Sequence, residues 1–120
     1  MANVLVVDDS VSMRKLVAET LATAGHRATE AEDGAAALEI AKGAKFDLVV
    51  TDVNMPRMDG ITLVGELRKL APFKFTPILV LTTEVDATKK AEAKQKGATG
   101  WLVKPFNPEA LLATVKKVLD

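Results

Sequence analysis

The sequence predicts an α/β fold, a doubly wound parallel sheet of five strands with helices on both faces, and three observations carry that prediction. Short β-branched runs alternate along the whole length with stretches of helical period. The runs are continuously apolar, without the polar alternation of a half-exposed sheet, as strands covered on both faces should be. The 120 residues are 48% hydrophobic and 27% charged, which suits one core and leaves no length for a second. Residues 1–120 therefore read as one domain in three layers, joined by right-handed crossovers.

Val4-Leu5-Val6-Val7 is the first strand. Met13, Leu16, Val17, Leu21 and Ala24 then fall on one helical face, and Gly25 stops that helix. Arg27 to Ala31 is a weaker second strand, followed by a short Ala-rich helix from Gly34 to Ala41. Leu48-Val49-Val50-Thr51 is the third strand, and Ile61 to Leu70 is a helix that ends before Pro72. Ile78-Leu79-Val80-Leu81 and Trp101-Leu102-Val103 are the fourth and fifth strands, both expected to be buried on both faces. The helix between them, Asp86 to Lys96, has only Ala87, Ala91 and Ala93 as apolar members among Lys89, Lys90, Lys94 and Lys96. So little buriable area predicts weak docking. In the last helix Asn107 is the N-cap, Pro108 suits N1, and Leu111, Leu112, Val115, Val118 and Leu119 form the apolar stripe.

Composition excludes several functions. Sixteen basic and sixteen acidic residues cancel, against nucleic-acid binding by bulk charge. Cysteine is absent, which removes disulfides, thiolate metal sites and a thiol nucleophile. The start has no basic segment leading into an apolar one, and no apolar run approaches the roughly 20 residues that span a bilayer. A cytoplasmic protein that binds neither nucleic acid nor membrane is the expectation.

Ligands of an open parallel sheet bind beyond the carboxyl ends of its strands. The first strand runs into Asp8-Asp9, the third into Asp52, the fourth into Thr82-Thr83 and the fifth into Lys104-Pro105. Any one of the acids alone reads as a turn residue or helix N-cap, Lys104 alone as a surface lysine, and Thr82 alone as a strand residue. Their common registration one or two positions after an apolar run promotes them together. Three carboxylates and one lysine sum to about −2, a cluster that a divalent cation would neutralise. Oxygen ligands without Cys or a partner His favour Mg2+, with Mn2+ the alternative. A metal, a hydroxyl and a lysine beside a carboxylate are the equipment of phosphoryl transfer, with Asp52 as nucleophile.

The Asp8-Asp9 pair, Asp52 followed by Met55-Pro56 and Asp59-Gly60, Thr82, and Lys104-Pro105-Phe106 resemble the receiver domain of two-component response regulators over the whole chain, most closely the stand-alone chemotaxis members. The resemblance implies the flavodoxin-like strand order 2-1-3-4-5, for which chemotaxis receivers are themselves a standard example. It implies that Asp52 accepts a phosphoryl group from a sensor-kinase phosphohistidine. Asp9, Asp52 and the backbone carbonyl of Asn54 would hold Mg2+ directly, and Asp8 through water. Lys104 would pair with the carboxylate and then a phosphoryl oxygen, and Thr82 would bond another while Trp101 turns inward as the switch. A cis peptide between Lys104 and Pro105 is common in relatives. Trp101 stands where relatives carry Tyr or Phe, and Thr83 where they carry Ala or Gly. Asn54, Thr83 and Glu84 occupy positions that tune phosphate lifetime or access.

The implied partners are a sensor histidine kinase of the chemotaxis (CheA-like) type and a downstream target, either a flagellar motor switch or a phosphotransfer protein. The chain ends at Asp120 with no output domain expected, so a monomer signals by docking through the fourth helix, fifth strand and fifth helix. A phosphorelay shuttle is the alternative with the same core. Dehalogenase-type phosphatases share the nucleophile, metal, hydroxyl and lysine, but need a second acid where this chain has Asn54, an amide that cannot protonate a leaving group. A flavin binder would need a hydroxyl-rich loop in place of Asp8-Asp9. The expectation is thus a phosphoacceptor signalling domain rather than an enzyme with turnover. His26, which has no acid at phosphorelay spacing, reads as a solvated turn residue.

Overall fold

The computed structural model describes residues 1–83 and 87–120. Strand and helix alternate as β1 (Asn3–Val7), α1 (Val11–Thr23), β2 (Arg27–Ala31), α2 (Gly34–Lys42), β3 (Leu48–Thr51), α3 (Gly60–Arg68), β4 (Ile78–Thr82), α4 (Ala87–Lys96), β5 (Gly100–Val103) and α5 (Pro108–Leu119). A 3-10 turn, Ala71–Phe73, precedes β4. The sheet is parallel in the order β2-β1-β3-β4-β5. The chain leaves β1 to one side for β2 and then crosses back for β3, so the winding reverses beside β1 and leaves a crevice at the carboxyl edge.

The period of two along each strand divides the core. Leu5, Val7, Val49, Ile78 and Val80 face one layer with Leu63, Val64 and Leu67 of α3. Val4, Val6, Leu48, Val50, Leu79 and Leu81 face the other with Val17 and Leu21 of α1 and Leu111 and Val115 of α5. These are the continuous apolar runs of the sequence, split by the pleat between two helical layers.

Helix ends follow local chemistry. Ser10, Asp33, Asp59 and Asn107 cap α1, α2, α3 and α5 by accepting the backbone N–H three residues on. Gly25 takes φ +87° just past α1, a conformation that β-carbons oppose.

Three expectations are corrected. Strand β5 is an edge strand and only part-buried, with Val103 exposed, because its place at the end of the sheet leaves one side without a neighbour. Helix α3 stops at Arg68 rather than Leu70: Leu70 is extended at ψ 125°, and the chain enters the 3-10 turn that holds Pro72. His26 is not merely solvated, since its Nδ1 accepts the Ala2 N–H at 3.1 Å. The weak docking foreseen for α4 is present: among its described side chains only Ala93 is buried. The foreseen first residue of that helix, Asp86, lies outside the described residues.

Arg68 closes the amino-terminal edge of the sheet. Its Nη1 donates to the Phe73 and Thr76 carbonyls, both at 2.6 Å, and its Nη2 to the Gly97 carbonyl at 2.7 Å. Among the described residues no helix is long and apolar enough to cross a membrane.

Candidate functional site

Parallel register gathers the polar strand ends at one edge. Val7 pairs with Thr51, so Asp8 and Asp52 leave the sheet side by side. The ladder runs on past the strands, with the Asp52 N–H donating to the Val7 carbonyl at 2.9 Å and the Lys104 N–H to the Thr82 carbonyl at 2.7 Å. Carboxylate oxygens of Asp8, Asp9 and Asp52 lie within 4.8 Å of one another. The sequence-based grouping of these acids with Lys104 is therefore realised in space.

The three acids differ in environment. Asp8 is buried and both its oxygens are engaged: Oδ1 accepts the Ser10 N–H at 2.9 Å and Oδ2 accepts from Lys104 Nζ at 2.9 Å. Asp9 is exposed. The Asp52 side chain is 12% exposed, its Oδ1 accepts the Val53 N–H at 2.8 Å, and Lys104 Nζ stands 3.5 Å away. The ammonium thus bridges two carboxylates, lying closer to Asp8 than to Asp52. Burial pushes the Asp52 carboxyl above its ordinary range; Lys104 opposes this and the charge of Asp8 adds to it.

The donor set fits a hard divalent cation. Oxygens around one octahedral Mg2+ stand about 3 to 4 Å apart, given bonds of about 2.1 Å, and the three carboxylates already approach that spacing. Three acids against one ammonium leave about two negative charges, which a divalent ion would neutralise. Where a cation neutralised the cluster, the upward push on Asp52 would be relieved.

The loop after β3 is held close to Asp52. The Gly60 N–H donates to the Val53 carbonyl at 2.8 Å, and a β-carbon at Gly60 would overlap the Asp52 carbonyl, so only glycine fits there. Asn54 is exposed on this loop, while Met55 and Met58 pack against the core. Thr82 is buried at the end of β4 and Thr83 is exposed. Glu84 lies outside the described residues. Trp101 is half-buried against the core and, with Lys90, Ala93 and Lys94 of α4, lines a cavity of about 210 Å³. The Lys104–Pro105 peptide is cis.

Sequence reasoning missed two supports. Arg14 donates from Nη1 to the Asp8 carbonyl at 2.7 Å and from Nε to Glu30 at 2.9 Å, fixing the turn that presents Asp8 and Asp9. Arg57, in the loop after β3, forks onto Asp33 at the start of α2. Asp33 follows its strand by two residues, as Asp9 does, and that registration was its one available signal.

Comparison with known proteins gives one answer. Residues 4–116 match the family model for the response regulator receiver domain. The chain is 42% identical over 118 residues to chemotaxis protein CheY-3 of Vibrio cholerae, covering 98% of this chain and 88% of that one. It is 37% identical to chemotaxis protein CheY of Pseudomonas aeruginosa, covering 98% and 95%. The crystal structure of V. cholerae chemotaxis protein CheY4 superposes with a TM-score of 0.95 at 54% identity, covering 98% of both chains.

Proposed function

The chain belongs to the response regulator receiver family, and from that premise we propose that it is a stand-alone chemotaxis regulator that accepts a phosphoryl group on Asp52 from a sensor histidine kinase. The observation that carries this is the meeting of the Asp8, Asp9 and Asp52 carboxylates under one lysine at the crevice of the sheet. Receiver domains are signalling domains rather than turnover enzymes, and the alternatives of a phosphatase or flavin binder have no support in this site.

A carboxylate oxygen of Asp52 would attack the phosphorus of the phosphohistidine. The phosphorus–nitrogen bond breaks and the imidazole leaves with the electron pair. Mg2+, with Mn2+ as substitute, would be held by Asp9, Asp52 and the Asn54 carbonyl, with Asp8 through water, and would neutralise charge on the transferring oxygens. Lys104, whose Nζ is 3.5 Å from Asp52, would follow the new charge from the carboxylate to a phosphoryl oxygen. Thr82 would donate its hydroxyl to another such oxygen, drawing Thr83 inward.

That motion would change the seat of Trp101 and of α4, whose light anchoring leaves it easily displaced. The protein would then dock, as a cytoplasmic monomer, on a downstream target such as a flagellar motor switch. The relatives named for chemotaxis favour this over a phosphorelay shuttle that hands phosphate to a histidine phosphotransfer protein. The test is intact-mass measurement after incubation with a phosphorylated chemotaxis kinase and Mg2+. One phosphoryl group on the wild type and none on Asp52→Asn is expected; labelling of Asp52→Asn at the wild-type level refutes the assignment.

A further inference from the structure

We propose that Arg57 is a positioning residue for the metal site: clamped to Asp33, it holds the loop that carries Asn54 against the start of α2. The inference rests on the Mg2+ reading above. Neither residue belongs to the acidic cluster.

Arg57 is the one described non-glycine residue with positive φ, at +68°, a conformation disfavoured by side chains with a β-carbon. Something must hold it there. Its Nε donates to Asp33 Oδ2 at 2.8 Å, its Nη2 donates to the same oxygen, and Glu32 stands 3.6 Å away. Asp33 is 1% exposed, and its other oxygen accepts the Ala36 N–H at 2.8 Å as the N-cap of α2. The anchor is therefore rigid, whereas the arm that grips it is largely exposed.

The contact is continued next door. A β-carbon at Gly34 would collide with the Met58 carbonyl and side chain, so the loop lies directly on the first turn of α2. At its far end Gly60 is seated on Asp52. Asn54, whose carbonyl must point at the cation, lies with Arg57 between Asp52, on which Gly60 sits, and Met58, which rests on α2. Releasing the Arg57 grip loosens the middle of that span and leaves its ends in place.

The sign of the effect separates a clamp from a charge. If Arg57 acted only through its field, removing a cation near a divalent site would tighten Mg2+ binding, and removing the anion Asp33 would weaken it. A clamp predicts weakening in both cases. Isothermal titration of the full chain with Mg2+ alone reads this directly. Arg57→Asn is chosen because Asn tolerates positive φ, and Asp33→Asn because Asn still caps a helix. Each is expected to raise the dissociation constant at least threefold. The double variant should be no weaker than the weaker single, since both remove one interaction. Melting without metal monitors folding, which Arg57→Asn at an exposed position should leave within a few degrees of wild type. Unchanged or tighter binding by Arg57→Asn overturns the clamp while the metal site stands. No Mg2+ binding by the wild type overturns both.

Discussion

Replacing Lys104 by Met tests the electrostatic frame of the site. At an effective dielectric of about 20, an ammonium at 2.9 Å from Asp8 and 3.5 Å from Asp52 is attracted by roughly 6 and roughly 5 kcal/mol before desolvation is subtracted. Lys104→Met leaves two confined carboxylates facing each other. Breaking such a pair typically costs about 3–5 kcal/mol. Protonation limits the cost: taking up one proton at pH 7 by a carboxyl with a free value near 4 requires about 4 kcal/mol, at about 1.4 kcal/mol per pH unit. A loss of roughly 3–4 kcal/mol at pH 7 follows, or a melting point lower by about 10–15 °C for a domain of this size. The loss should shrink as pH falls toward 4, because the cost of taking up that proton falls by about 1.4 kcal/mol per pH unit, and saturating Mg2+ should recover much of it at pH 7. Calorimetric scans at both pH values, with and without Mg2+, read all three effects. A destabilisation equal at pH 4 and pH 7 would mean that the lysine stem packs and the charge does nothing, and would refute the reasoning.

Mg2+ at about ten times its dissociation constant should stabilise the wild type by roughly 1.4 kcal/mol, a melting shift of several degrees that Asp9→Ala abolishes. Because the folded Asp52 carboxyl is raised, its contribution to apo stability is full at acid pH and is lost as pH rises through that folded value. The Mg2+ shift should therefore grow from about pH 4 toward neutrality, and a shift independent of pH would contradict the raised carboxyl. Trp101 is the sole tryptophan, so its emission should change when beryllofluoride and Mg2+ are added, and this change should vanish in Thr82→Ala. A response retained in that variant would separate Trp101 from the hydroxyl.

Much of the site was legible because β-structure is local: a polar residue one step beyond an apolar run must emerge at the strand's end. Asp8, Asp52, Thr82 and Lys104 all obey that rule, and parallel pairing does the rest. Asn107-Pro108 was legible because an N-cap and its proline need only adjacent residues. Strand β5 misled because an apolar run carries no record of whether a neighbour lies on both sides of it. Leu70 misled because it keeps the helical period while Pro72 removes a donor just ahead. The clamp of Arg57 on Asp33 was invisible, since 24 residues separate partners that no periodicity relates.

The guanidinium of Arg68 addresses its neighbours solely by carbonyl oxygens in its three shortest contacts, at Phe73, Thr76 and Gly97. Every amino acid carries that acceptor. The two connections it latches are therefore constrained in path and residue count but little in spelling, so their side chains can drift without unlatching them. A single inserted or deleted residue would shift the carbonyls out of reach. Lengths at the amino-terminal edge should thus be the invariant quantity, while at the opposite edge, where carboxylates meet an ammonium, it is the letters themselves.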